Sequence, residues 1–256
     1  MKQPPSAALT ATFGFATDVG LIREANEDNG GIWMISPTKY MMVVADGMGG
    51  QQGGAVASRV TVETILKEIE KTDASMDDGD RLKHLVGRAN DAVFRMGREH
   101  HELFNMGTTV VVAICDMQRH VAAIGHIGDS RAYYFRGTLN PKPHQLTHDH
   151  SLLAETLRAH PRLSKAERAS IPSNIVTRAI GSKSAVQLDL TSLSLSSGIT
   201  LLLCSDGLTG MVSDRRIAEL ATEKKIGAQD AAKNLIHAAL LGGGQDNVTV
   251  ALARFQ

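Results

Sequence analysis

The chain has 256 residues, 43% apolar and 21% charged, which is ample for a buried core and ordinary for a soluble globular protein. Its 27 Lys and Arg balance 27 Asp and Glu, so no net field draws it to nucleic acid or an anionic membrane, and a partner must be specified by a local site. No stretch approaches the roughly 18 apolar residues that span a bilayer. The start, MKQPPSAALTATFG, has no signal-peptide core. Both cysteines, Cys115 and Cys204, end apolar runs where buried free thiols are expected. These features predict a cytoplasmic setting.

After a short N-terminal extension, TFGFATDV (12–19), GIWMI (31–35) and YMMVVA (40–45) read as strands, being short, apolar and bounded by polar turns. Two helices follow. SRVTVETILKEIEK (58–71) sets Val62, Ile65, Leu66 and Ile69 on one face. RLKHLVGRANDAVFRM (81–96) does the same with Leu82, Leu85, Val86, Ala89, Val93 and Met96. The acidic stretch 71–80 between them reads as a solvated loop. TTVVVAIC (108–115), HVAAIGHI (120–127) and SRAYYFR (130–136) are consecutive strands. The proline-bearing segment 157–174 reads as a mobile insertion or flap. VQLDLTSLSL (186–195) and TLLLC (200–204) are strands, AQDAAKNLIHAALL (228–241) is a helix stopped by three glycines, and VTVALARF (248–255) is the last strand. Strands run consecutively instead of alternating with helices, which favours an α+β sandwich over a doubly wound parallel sheet. One domain is expected.

The aspartates fall where the strands end. Asp28 closes REANED before one strand and Asp46-Gly47 closes another. Asp129 follows HVAAIGHIG, Asp206-Gly207 follows TLLLC, and Asp246 precedes the final strand. Any one Asp-Gly reads first as a turn. Five acids at strand ends repel one another unless a cation neutralises them, and carboxylate oxygens suit a hard divalent ion. Glycine after Asp46 leaves a carbonyl free to approach such an ion.

RxxNED at 23–28, VVADGMGG at 43–50, MGTTVV at 106–111, IGDSRAYYFR at 127–136, LTHDHSLL at 146–153, LLCSDGLTGMVSD at 202–214 and GGQDNVTV at 243–250 occur in that order. Together they resemble the bacterial branch of the metal-dependent type 2C serine/threonine protein phosphatases, over nearly the whole chain. The resemblance implies a four-layer α-β-β-α sandwich of two mainly antiparallel sheets flanked by helices. It implies one phosphatase domain over about 12–255, with a flap near 157–180.

The resemblance also implies a binuclear Mn²⁺ or Mg²⁺ site. Asp46 would bridge the ions, the Gly47 carbonyl would help bind one, Asp28 would serve one ion, and Asp206 and Asp246 the other. Asp129, with Asp206, would hold a weaker third ion. Arg23 would bind the phosphoryl group, for which its planar fork is suited, and Asn247 would support the ligands. The substrates implied are phosphoproteins, within a bacterial serine/threonine kinase pathway. The expected reaction is direct attack by a metal-bridging hydroxide with no phosphoenzyme. Eukaryotic relatives carry a histidine after the Asp-Gly, here Met48, and many bacterial ones a histidine after the second glycine, here Gln51. A metal-bound water is therefore the expected proton donor, ahead of His126, His148 and His150.

Rival chemistries fail on spacing. Val121 and Gly210 stand where a cysteine phosphatase would need arginine after Cys115 and Cys204, and Met48 stands where an aspartyl-phosphate enzyme would need a second aspartate after Asp46. A non-catalytic phosphoprotein-binding module of the same fold is the alternative from another class. A monomer is the default.

Overall fold

The structure, a computed structural model, describes residues 9–49, 52–137, 141–172 and 174–256. Most of the N-terminal extension and Gln51 lie outside the described residues. Among the described residues, two sheets form the centre of the fold. The first runs in the order β1 (Ala11–Asp18), β11 (Val248–Phe255), β10 (Ile199–Cys204), β7 (Arg131–Arg136) and β8 (His144–Gln145). The second runs β2 (Asp28–Ser36), β3 (Lys39–Met48), β5 (Val110–Asp116), β6 (Val121–Ile127) and β9 (Asp189–Ser194), with the short β4 (Gly107–Thr108) paired to the end of β3. The ladders within both sheets are antiparallel.

The apolar runs are explained by a strand's twofold alternation with a core on each side. Met42 and Val44 of β3, Val111 and Ala113 of β5, Leu201 and Leu203 of β10, and Ala251 and Ala253 of β11 meet between the sheets. Their sequence neighbours Met41, Val43, Val110 and Val112 face the opposite way. There they pack beneath α1 (Gly53–Ile69) and α2 (Asp78–Glu99), through Ile65, Leu82, Leu85 and Val93. On the far side Leu202, Val250 and Leu252 pack beneath α6 (Asp214–Ala221) and α7 (Ala228–Leu241). The result is helix, sheet, sheet, helix. A strand buried on both faces cannot show an in-out pattern, which is why the sequence reads as unbroken Val, Ile and Leu.

Cys115 and Cys204 are buried free thiols, their pKa values pushed up to about 12 by burial. No described helix is long and apolar enough to cross a membrane.

The short helices depart from the sequence reading. The segment 157–174, read as irregular, contains the end of α3 (Leu152–Ala159) and all of α4 (Lys165–Ala169). Neither helix has a fully buried residue, so neither carries an apolar stripe to be read. Their signals are caps: the Ser151 hydroxyl accepts the Ala154 amide, and Ser164 and Glu167 form a capping box. α5 (Asp206–Thr209), a single turn, and α6 were likewise unread. β9 is shorter than 186–195 because Val186 and Leu188 pack against the helix-side core instead of pairing.

Candidate metal centre

Asp46 follows Met42 and Val44 in the alternation of β3, so it lies on the inter-sheet face where the sandwich opens. Its backbone is pinned from the MGTTVV segment. The Asp46 carbonyl accepts from the Thr108 hydroxyl at 2.7 Å and the Thr109 amide at 2.8 Å, and its amide donates to Thr109 Oγ1 at 3.2 Å. Across the ladder, Asp28 stands in register with Asp46. Asp206 opens α5 directly after β10, with Ser205 at the cap position. Asp129 follows the Gly128 turn (φ +104°) at the end of β6, and Asp246 lies in the loop before β11.

A cavity of about 870 Å³ opens at this end, lined by Asp46, Asp129, Asp206 and Asp246 together with Arg23, Glu27, Gly47 and Asn247. Asp28 sits behind the lining. One of its oxygens accepts from the Ser205 hydroxyl at 2.8 Å; the other is buried with no hydrogen-bond partner.

Burial and mutual repulsion leave Asp28, Asp46, Asp129 and Asp206 reluctant to ionise. Burial raises Asp28 to about 7, against the pull of the Ser205 and nearby Thr249 hydroxyls and with the push of Asp206 and Asp246. Asp46 is raised well above the carboxylate range, by burial first and then by Asp28, Asp206, Asp129 and Asp246. Asp129 is raised to about 7 by burial and Asp206, and Asp206 is raised by burial and Asp246. Hard oxygen donors, uncompensated negative charge and an orphaned buried carboxylate oxygen fit a divalent cation. Among the described residues, the one trio of His, Cys, Asp or Glu with ligand atoms all within 4.8 Å of one another is His126, His150 and Asp189, and no three of the aspartates meet that spacing.

Gly47 cannot be replaced without movement, because a Cβ there would collide with the backbone carbonyl of Gly54. Asn247 holds the loop between β1 and β2. Its Nδ2 donates to the Val19 and Ala25 carbonyls at 2.9 Å each, and its Oδ1 accepts the Glu27 amide at 2.8 Å. Arg23, on that loop, reaches Asp246 Oδ2 at 2.8 Å.

Two similarities to known proteins are decisive beside this geometry. The protein phosphatase 2C model matches residues 23–233. The serine/threonine phosphatase stp of Listeria monocytogenes is 36% identical over 242 residues, covering 93% of each chain. The chain belongs to the protein phosphatase 2C family. Among solved structures, the Streptococcus agalactiae serine/threonine phosphatase superposes with a TM-score of 0.86 at 33% identity, covering 96% of this chain and 99% of that one. The catalytic domain of the serine/threonine phosphatase PstP, solved with two manganese ions, gives a TM-score of 0.80 at 30% identity, covering 96% and 99%. As a member of this family the chain is a protein phosphatase with a divalent metal cofactor.

Two features of this 2C phosphatase escaped the sequence reading. Glu27 lines the cavity, its pKa raised by burial although Arg23 opposes this. It is the penultimate residue of REANED, and only the final acid was singled out. Ser205 and Thr109 were also missed, since a hydroxyl that braces an aspartate leaves no spacing signal. Of the histidines named as weaker proton donors, none is among the described residues lining the cavity. His126 Nε2 is engaged by the His148 carbonyl at 2.8 Å, and His150 is engaged at both ring nitrogens.

Proposed function

We propose that the chain hydrolyses phosphoserine and phosphothreonine in protein substrates at the aspartate-lined cavity, opposing a bacterial serine/threonine kinase. Residues from about 12 to 255 act as one phosphatase domain, a monomer, with 157–180 as its flap. The observation that carries this reading is the gathering of Asp46, Asp129, Asp206 and Asp246 around one cavity beside Arg23, with Asp28 directly behind.

The residues divide the work by position. Asp46, Asp28, Asp206, Asp246 and the Gly47 carbonyl would together hold two divalent cations, Mn²⁺ or Mg²⁺, with Asp46 shared between them, and Asp129 with Asp206 would hold a weaker third. When bound, the ions supply a strongly nucleophilic water and neutralise the phosphoryl oxygens, so that hydrolysis goes by direct water attack without a phosphoenzyme. Arg23 orients the phosphoryl group. Its pair with Asp246 is exposed and worth only about 0–1 kcal/mol, so the guanidinium leaves Asp246 for the substrate at little cost. Asn247 keeps Arg23 and Glu27 in place through the loop. With no described histidine in the lining, the leaving alkoxide takes its proton from water.

Mn²⁺-stimulated hydrolysis of an aryl phosphate and of a phosphothreonine peptide tests this. EDTA should abolish both, and Asp46→Asn should lower kcat/KM by about a thousandfold, roughly 4 kcal/mol of transition-state stabilisation. Activity that survives chelation would remove the metal reading. Inactivity with metal bound would favour the phosphoprotein-binding module.

A further inference from the structure

His126, His150 and Asp189 bring one ligand atom each within 4.8 Å of one another, which invites a metal-site reading. Their hydrogen bonds exclude it. His150 Nδ1 accepts the Gly128 amide at 3.1 Å, so its ring proton is on Nε2, which faces Asp189 Oδ2 at 3.1 Å. That nitrogen has no lone pair to offer a cation. The two imidazoles are also stacked, centroids 4.6 Å apart with planes 18° from parallel. In-plane lone pairs of stacked rings do not converge on one ion.

What His150 holds is the Gly128 turn. The contact is reciprocal: Gly128 N–H donates to the ring, and the His150 amide donates to the Gly128 carbonyl at 3.0 Å. Gly128 has φ +104°, a conformation that side chains resist, and the residue after it is Asp129. On its other side the His150 carbonyl accepts the Thr177 amide at 2.8 Å, and Asp189 Oδ1 accepts from Arg178 Nη1 at 2.9 Å. Thr177 and Arg178 belong to the stretch returning from α4, which closes on Thr108 through reciprocal hydrogen bonds with Ile180. A ring only 1% exposed thus joins the Asp129 turn to the chain leaving the flap segment.

We propose that His150 is a positioning residue: it fixes the Gly128 turn that aims Asp129 into the cavity, and through Asp189 and Arg178 it couples that aim to the segment 176–180. This rests on the reading of Asp129 as a cation ligand. His150 itself touches neither substrate nor ion.

The test is calorimetric Mn²⁺ binding to the full chain, with melting curves of the metal-free proteins as a check on folding. His150→Asn places an amide oxygen near the Nδ1 position and can still accept from Gly128. His150→Gln reaches Asp189 but leaves the Gly128 amide unpaired. The glutamine variant should weaken the weakest Mn²⁺ step by roughly tenfold, the scale for a residue that orients a metal ligand, while the asparagine variant retains most of the affinity. Asp129→Asn should weaken the same step, and His150→Gln should add nothing to it, as for two residues acting as one unit. Should His150→Gln not fold, Asp189→Asn is expected to weaken that step several-fold. An unchanged Mn²⁺ step in His150→Gln, or in Asp189→Asn where the glutamine variant does not fold, or full additivity with Asp129→Asn, would overturn the inference. If Asp129→Asn itself leaves Mn²⁺ binding intact, the ligand reading of Asp129 falls and the inference falls with it.

Discussion

Asp28 and Asp129, each raised to about 7, and Asp46, raised well above the carboxylate range, bind protons more tightly folded than unfolded, burial being the first cause in each. In the unfolded chain such acids titrate near 4. Their contribution to stability is therefore fully present below about pH 4 and is lost as pH rises through the folded values. Acids whose pKa is lowered, such as Asp116 and Asp189, act below that window, whereas His126 and His150, held by burial below the ordinary histidine value of about 6.5, oppose the trend only below that value, so the fall is read between about pH 6.5 and 8. The metal-free protein should thus melt progressively lower across that interval. For a chain of this size each kcal/mol moves the midpoint by roughly 2–4 °C, so a fall of several degrees is expected. Saturating Mn²⁺ should flatten or invert the trend, because a cation stabilises the ionised carboxylates and so binds better as they deprotonate. Differential scanning calorimetry with and without EDTA reads this directly. A metal-free midpoint that rises over the same interval would contradict protonated acids in the site.

At the scale of elements, the loop between β1 and β2 carries Arg23, Glu27 and the entry to Asp28, yet it has little core of its own, with Leu21 and Ile22 exposed. Its order depends on Asn247, whose side chain makes three hydrogen bonds to the loop backbone. Asn247→Ala should cost about 2–3 kcal/mol, near 1 kcal/mol per net bond. Hydrogen exchange should rise at the Glu27 amide and its neighbours, and kcat/KM should fall with Arg23 no longer held in place. Unchanged exchange in 19–27 would show that the loop is ordered by something else. Asn247 was legible only through its motif. The aspartates were legible as residues, since an acid beside a long Val or Leu run is conspicuous. The strands were legible as short apolar runs and the two long helices through their periodicity, whereas the gathering of the strands into two sheets came only from the family resemblance. Glu27, Ser205 and Thr109 act through contacts made hundreds or tens of residues away, and no local pattern encodes those. The helices α3 and α4 were missed because they bury too little to show a face.

Across the whole molecule, the aspartate end of the sandwich is one of two polar concentrations on β3. At the other end Lys39 Nζ reaches Asp78 at 2.7 Å and Asp116 at 3.1 Å, while Arg81 reaches Asp78 at 3.2 Å. This knot joins the first residue of β3, the first of α2 and the last of β5, and so clamps the outer helix layer to the second sheet. Asp78 and Asp116 are 6% and 2% exposed, so loss of the ammonium leaves two acids short of charge in a dry setting. Arg81 keeps Asp78 partnered, and Asp116 keeps the more distant Arg119 at 3.8 Å and two backbone amides, which places the cost of Lys39→Met near the low end for a broken buried pair, about 3 kcal/mol. That corresponds to a drop of roughly 6–12 °C in melting temperature. Lys39 and Asp46 are seven residues apart on an extended strand, about 23 Å. A rigid strand between them should transmit little of the loss, so below the melting transition kcat and the Mn²⁺ concentration for half-maximal activity should match those of the unmodified chain. A fall in kcat parallel to the loss of stability would mean instead that the metal end is held by the whole sandwich and not by the local braces from Thr108, Thr109, Ser205 and Asn247.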